Sequence, residues 1–474
     1  MSLSTADYIV VGIYIAVVLY AGFFLSEGRK KQGADQAEDF LLAGRRLTLP
    51  FFVATLVATW YGSILGIGEF VYGQGIVAWV SWGLPYYIAA GIFAWFIAGR
   101  IRAAEVHTIP GHIGKKFGRS AGFFASILIL VITVPAAYTL MLGVLVQILT
   151  GWPLWISVIT ASVITLAYVY TGGFRADVYA NAAQFVFMYL GFGILLFFTL
   201  KSYGSPGTML EELPHSHTNV LGGNSWQYVA AWFIVALQTF IDPSFHQRCS
   251  AAATPATAQR GIFLSILCWA VFDLLTVTTG LYARAFLPNL DQPLMSYPAL
   301  AEAVLPVVWK GLFLVALLAT VMSTLDSYAL ISGMTIGNDI LLPLGRRFRR
   351  KDYPVKSLTR IGLVVSACIA ITFAIAIPSA IDLIYRAASI AVPGLLLPMC
   401  IAYSRTFSFR ANSTLFIMFA SAGTSLLWMI LSATGARITW IALSSVEPMM
   451  PGIFLSVILT FIFLRRTTLD TAGK

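Results

Sequence analysis

Apolar runs of about twenty residues follow one another through this chain, separated by short polar connections, and that repetition leaves few structures open. In lipid every backbone N–H and C=O must be bonded internally, so such runs form helices or a closed barrel, and unbroken rather than alternating apolar sequence selects helices. Charged residues make up 11% and hydrophobic residues 58% of the 474, whereas a soluble domain carries about 25% charge. The expected fold is therefore an all-α polytopic membrane protein. At one span per twenty residues or so, thirteen transmembrane helices are predicted, centred roughly at 16, 61, 88, 135, 161, 189, 236, 273, 321, 367, 392, 424 and 455. The first begins near Tyr8 with no Lys or Arg before it, so it lacks the basic leader of a signal peptide and is expected to stay as a helix.

The net charge of +10 could suit a nucleic acid, but its distribution excludes that partner. The basic residues sit between apolar spans: Arg29, Lys30, Lys31, Arg45 and Arg46, then Arg100, Arg102, Lys115, Lys116 and Arg119, then Arg175. Arg248 with Arg260, the run Arg346 to Lys356, Arg405 with Arg410, and Arg465 with Arg466 continue the series at every second connection. This alternation predicts a multi-pass protein of the cell (plasma or inner) membrane with its N-terminus outside and C-terminus cytoplasmic, its partner the lipid bilayer. No obligate protein partner is evident. The cysteines, Cys249, Cys268, Cys368 and Cys400, show no CxxC spacing, so neither a disulfide framework nor a metal cluster is expected.

Two spans carry interruptions. The second reads ATWYGSILGIGEFVYGQG, where Gly62, Gly66 and Gly68 either weaken the helix or serve as packing contacts. The seventh reads WFIVALQTFIDPSFHQRC, where Pro243 after Asp242 removes a backbone donor and predicts a break. Five spans separate the two. That spacing matches an inverted five-plus-five repeat with broken first and sixth core helices, as in the leucine-transporter fold, where the broken helices build a substrate and ion site at the midplane. The expected division is residues 1–47 as an extra N-terminal helix and cytoplasmic loop, 48–202 and 203–405 as the two repeats, and 406–474 as two extra helices.

The ninth span supplies a second cue. In LATVMSTLDS, Thr320, Ser323, Thr324 and Ser327 stand at i, i+3, i+4 and i+7 and share one face of an apolar helix. Isolated hydroxyls in lipid bond back to their own carbonyls, but Asp326 stands among these, and an ionisable group at membrane depth marks function. Oxygen-only ligands suit a hard monovalent cation, so this face reads as half of an ion site.

Several segments then resemble the sodium:solute symporter family of sugar, proline, pantothenate, iodide and sialic-acid carriers. They are FLLAGRRLTLPFFVATLVATWYGS, VHTIPGHIGKKFG, YTGGFRADVYANAAQFVFMYLG, DPSFHQRCSAAATPATAQRG and ATVMSTLDS, in order over roughly residues 40 to 340. The resemblance implies a sodium ion (Na+) held by the carbonyls of Ala58, Tyr61 and Thr320 and the hydroxyls of Ser323 and Thr324. It also implies, in much of the family, a second sodium helped by an aspartate at the position Asn181 occupies here. Asp177 lies one turn earlier, and Asp326 with Ser327 could either rebuild that second site or sit paired with donors such as the Asn181 amide. Because Asp326 falls about 200° around the helix from Thr324, pairing is the expectation, with one sodium per solute.

Candidate substrate contacts are Trp60 and Ser63 at the first interruption, Asp242, Phe245 and His246 at the second, and Tyr385 with Arg386 in the eleventh span. Arg386 is either a substrate ligand or a snorkelling charge near the outer end. His107 and His112 are expected to be solvated in a cytoplasmic loop. With no nucleophile motif and no metal-spaced histidines, an enzyme is not expected. The reading is a sodium-coupled secondary symporter importing a small polar organic solute by alternating access. Its alternatives are a proton-coupled carrier on the same scaffold and a transport-inactive sensor, the latter disfavoured by a chain that stops soon after the last span.

Overall fold

The computed structural model describes residues 3–24, 41–104, 108–349, 354–377, 379–434, 437–438, 441–442 and 446–466. The charges Arg29, Lys30, Lys31, Arg350 and Lys351, and His107, lie outside the described residues. Within them the chain is nearly all helical, apart from two two-residue strand pairs near the C-terminus.

Among the described residues ten helices are long and apolar enough to cross a membrane. They are α2 (Leu49–Gln74), α3 (Trp79–Ala103), α4 (Arg119–Thr150), α6 (Gly173–Tyr203), α7 (Trp226–Ala251), α8 (Pro255–Phe286), α9 (Trp309–Gly345), α10 (Val355–Ala376), α11 (Ala380–Ala402) and α12 (Ala411–Ala433). Three apolar helices are shorter: α1 (Thr5–Phe24), α5 (Leu154–Ala167) and α13 (Met449–Phe463). The long α9 is buried along its whole apolar window and packs most extensively on the α5–α6 segment. Its polar face is therefore turned to protein rather than to lipid.

Local sequence explains where helices bend. The chain kinks between α5 and α6 at Gly173, whose φ of 64° and ψ of −171° a side chain would resist. In α4 the first segment stops at Thr133, Pro135 blocks continuation, and a second starts at Ala136.

Both interruptions expected from the sequence are present, in different forms. In α2 a helix over Leu49–Trp60 tightens to a 3₁₀ turn at Tyr61–Ser63 and resumes at Ile64–Gln74. In α7, Trp226–Val235 tightens to a 3₁₀ segment at Ala236–Ile241, Asp242 is extended (φ −72°, ψ 116°), and Pro243–Ala251 forms a separate helix. Gly62 serves close packing as well as the turn: a Cβ there would lie 2.2 Å from Thr324 Cβ. Gly68 likewise faces Ser296 and Tyr297.

Two ties hold the start of α2 to the end of α7. Leu47 N donates to Ala251 O at 3.0 Å, and Ala253 N donates to Leu47 O at 3.0 Å. Nearby, the short amphipathic helix Ile109–Phe117 docks under α11, where Lys116 Nζ donates to the carbonyls of Ile401, Ala402 and Ser404 at 2.7–3.0 Å. An ammonium there satisfies carbonyls at the negative end of α11. His112, expected to be solvated, is instead stacked on Tyr403 with ring centroids 4.1 Å apart, its Nε2 3.3 Å from Ala402 O.

Candidate functional site

The hydroxyl face of α9 meets α2 where α2 tightens. Ser323 Oγ lies 2.8 Å from both Ala58 O and Thr320 O, and Thr324 Oγ1 donates to Thr59 O at 2.6 Å. Ala58, Thr320, Ser323 and Thr324 are all fully buried. Two hydroxyls thus reach carbonyls on another helix, which back-bonding alone would not produce; Thr320 Oγ1, by contrast, does bond back to Ala316 O at 2.7 Å. The donor set is oxygen only, which suits Na+. Tyr61 follows directly in the 3₁₀ turn, where helical hydrogen bonding is interrupted. Its phenol points elsewhere, donating to Asp273 Oδ1 at 2.6 Å and Trp269 O at 3.1 Å.

One turn further along α9 the arrangement departs from the sequence reading. Ser327 and Asn181 do come together: Asn181 Nδ2 donates to Ser327 Oγ at 3.3 Å, Thr55 Oγ1 at 3.0 Å and Thr59 Oγ1 at 3.2 Å. The carboxylate in this cluster is Asp177, which accepts from Ser327 Oγ at 2.8 Å. Asp326, expected beside the Asn181 amide, makes no hydrogen bond to it among the described residues; it is buried on another face, with Tyr14 as an electrostatic neighbour. The helical rotation that takes Asp326 away from Thr324 also takes it away from Ser327's side.

Arg248 is the larger correction. Assigned by its flanking sequence to a cytoplasmic connection, it is 0% exposed, with Nη2 3.2 Å from Asp177 Oδ2. The signal for it was the position of Gln247–Arg248 within the short helix that follows the break, one to two turns past Asp242 and before that helix ends at Ala251.

The candidate substrate residues do not form one group. Trp60 is caged by the rings of Tyr86, Phe245 and Trp269, with centroids 5.1–5.6 Å away. His246 Nε2 is 2.9 Å from Phe240 O, spanning the α7 break. Asp242 Oδ1 accepts from Ser244 N and Phe245 N, while Oδ2 accepts from Tyr328 OH at 2.5 Å. Oδ1 thus caps the helix after the break and Oδ2 ties the break to α9. Ser63 lines a small pocket with Trp82, Ile381 and Ile384. Tyr385 bonds Glu447 and packs on Trp232.

Arg386 lies on a cavity of about 400 Å³ whose polar lining also includes Tyr138, Gln238 and Tyr328. Its guanidinium is half exposed and pairs with Asp382, one turn away, at 3.3 Å. The cavity falls in the size range of small-molecule sites. Tyr138, Gln238 and Asp273 were missed from sequence, because tyrosine, glutamine and aspartate in isolation carry no spacing signal. Asp273, on α8, is clasped by the hydroxyls of Tyr61 and Tyr87.

This fold, with oxygen atoms from α2 and α9 converging where α2 tightens, matches known proteins. The sodium:solute symporter family profile covers residues 40–413. The chain belongs to that family.

Among relatives, the mouse (Mus musculus) sodium/glucose cotransporter 4 is 27% identical over 74% of this chain and 57% of its own length. The Vibrio parahaemolyticus sodium/glucose cotransporter is 25% identical over 78% of this chain and 74% of its own. The Haemophilus influenzae sodium/pantothenate symporter is 26% identical over 70% and 71%. The aligned part is thus little more than half of the mouse relative. A solved sodium-coupled sialic acid symporter, in a substrate-bound outward-open state, superposes over 99% of this chain and 100% of its own with a TM-score of 0.75 at 13% identity. A nucleobase-cation-symport-1 transporter in a closed conformation gives 0.53 at 11% identity over 90% of this chain and 95% of its own. These two likenesses carry the fold. The sodium:solute symporter family and the relatives named here are transporters, not enzymes.

Proposed function

We propose that this sodium:solute symporter family member is a sodium-coupled secondary symporter that imports a small polar organic solute by alternating access. The observation that carries the proposal is the buried oxygen cluster of Ala58, Thr320, Ser323 and Thr324 at the α2 turn. In this reading the carbonyls of Ala58, Tyr61 and Thr320 and the hydroxyls of Ser323 and Thr324 hold one Na+. Solute enters through the cavity lined by Tyr138, Gln238, Tyr328 and Arg386, with Trp60, Ser63, Asp242, Phe245, His246 and Tyr385 shaping the breaks behind it.

The ten long and three shorter apolar helices are read as thirteen spans. Residues 48–202 and 203–405 form the inverted repeats, 1–47 and 406–474 are additions, and the N-terminus is outside. One sodium suffices energetically. A cation moving down ~100 mV gains about 2.3 kcal/mol, a tenfold gradient adds about 1.4, and together these hold a neutral solute at a few hundred-fold accumulation.

The test is uptake into proteoliposomes under an inward sodium gradient, over a panel of sugars, amino acids, carboxylates and vitamins preselected by sodium-dependent thermal shift. Uptake should vanish when choline replaces sodium. Uptake driven instead by a pH gradient would replace the reading by proton coupling, and binding without uptake would make the protein a sensor.

A further inference from the structure

Arg248 Nη2 sits in a cage of oxygens. Thr59 Oγ1 lies at 2.7 Å, Ser327 Oγ at 2.8 Å, Thr55 Oγ1 at 3.2 Å and Asp177 Oδ2 at 3.2 Å. Asn181, fully buried, closes the cage with its Nδ2 3.0–3.3 Å from the same three hydroxyls, and its own Oδ1 has no hydrogen-bond partner among the described residues.

This is an unusual use of arginine. A guanidinium normally offers a carboxylate two parallel N–H bonds, yet here Asp177 is met by Nη2, and among the described residues the buried Nε has no partner. Nη1 turns to Gln247 Oε1 at 3.3 Å, and the guanidinium carbon lies 5.3 Å from the Phe174 ring centroid. Four oxygens surround one nitrogen that carries two hydrogens, so directional hydrogen bonding does not account for them all. The arrangement is that of ligands around a point charge. It is also continuous with the candidate sodium site: Thr59 contributes its hydroxyl here and its carbonyl to Thr324, and Ser327 Oγ lies 3.0 Å from Ser323 O.

We propose that Arg248 is a built-in counter-cation, filling a second oxygen-built cation site so that the carrier couples a single sodium per solute. Asp177 is the one acid in the cage and Arg248 neutralises it without ever dissociating. Take the guanidinium away and a buried carboxylate remains among the three hydroxyls, with the unpartnered Asn181 oxygen brought to them by a turn of its amide, a donor set for a hard monovalent cation. The vacated cage then recruits sodium. The proposal rests on the sodium-coupled reading above, and its test separates the two.

Equilibrium binding of ²²Na+ to the purified full chain in detergent counts sites directly, without any solute. Wild type should bind one sodium per chain with a Hill coefficient near one. Arg248→Gln should bind two, and Arg248→Gln combined with Asp177→Asn should return to one. Arg248→Lys, which keeps a point charge in the cage, should stay at one. Two sodiums on wild type, two on Arg248→Lys, or one on a monodisperse Arg248→Gln would each overturn the proposal. If Arg248→Gln does not fold, the wild-type and Arg248→Lys counts still decide it. No saturable sodium binding to wild type would instead remove the sodium-coupled reading itself.

Discussion

The Ser323 hydroxyl reaches the Ala58 carbonyl of a neighbouring helix across 2.8 Å, and does so while also lying 2.8 Å from its own Thr320 carbonyl. A single side chain thereby marks the point where two helices present oxygen to the same place. Ser323→Ala or Thr324→Ala should weaken ²²Na+ binding by about tenfold or more, since a ligand to a charged group contributes on the order of 1.5–3 kcal/mol. Folded protein should fall much less. Unchanged sodium affinity in purified Ser323→Ala would remove the assignment.

Gly62 decides how closely those helices approach. Its missing Cβ would stand 2.2 Å from both Thr324 Cβ and Oγ1. Because α9 is buried along its apolar window, it has no room to yield there. Gly62→Ala is expected to cost about 1–3 kcal/mol from overpacking and to lose the sodium-dependent rise in Tm. A variant with wild-type Tm and sodium response would show that the interface is looser than drawn.

At the other end of α9, Asp7 caps the helix from α1. Its Oδ1 accepts from Val308 N at 2.9 Å and Gly311 N at 2.8 Å. The capped turn holds Val308 at φ 75°, where a β-branched residue is strained. Asp7→Ala should destabilise by about 1–2 kcal/mol, as loss of a cap does, while Val308→Gly should raise Tm by relieving the strain. Thermal unfolding of the two variants checks both signs, and a neutral Asp7→Ala would mean that water replaces the cap.

His217, in the connection between α6 and α7, covers the C-terminal end of α2: Ile76 N donates to His217 O at 2.9 Å, and His217 Nε2 lies 3.0 Å from Tyr72 O. Burial, aided by the Arg284 charge, holds its pKa below the ordinary 6.5. The folded state therefore prefers neutral imidazole. That contribution is present above pH 6.5 and is lost as pH falls below it toward the folded-state pKa. Wild-type Tm should drop between pH 7.5 and 5.5 more steeply than that of His217→Gln; parallel profiles would show that another group governs acid stability.

The sequence by itself determined the helical membrane class, because lipid admits no other use for unbroken apolar runs. Proline after Asp242 made the α7 break legible, and the i, i+3, i+4, i+7 spacing placed Ser323, Thr324 and Ser327 on one face, since both are local consequences of backbone geometry. Which groups meet that face was not local. Ser327 and Arg248 lie on different helices and are joined by a 2.8 Å bond. A charge next to an apparent loop reads as solvated until the packing of α7 against α2, α6 and α9 shows it buried. The same holds for Asp177 against Asp326: each is a lone acid in apolar sequence, and only the rotation of α9 against α6 decides which one shares a cage with Asn181.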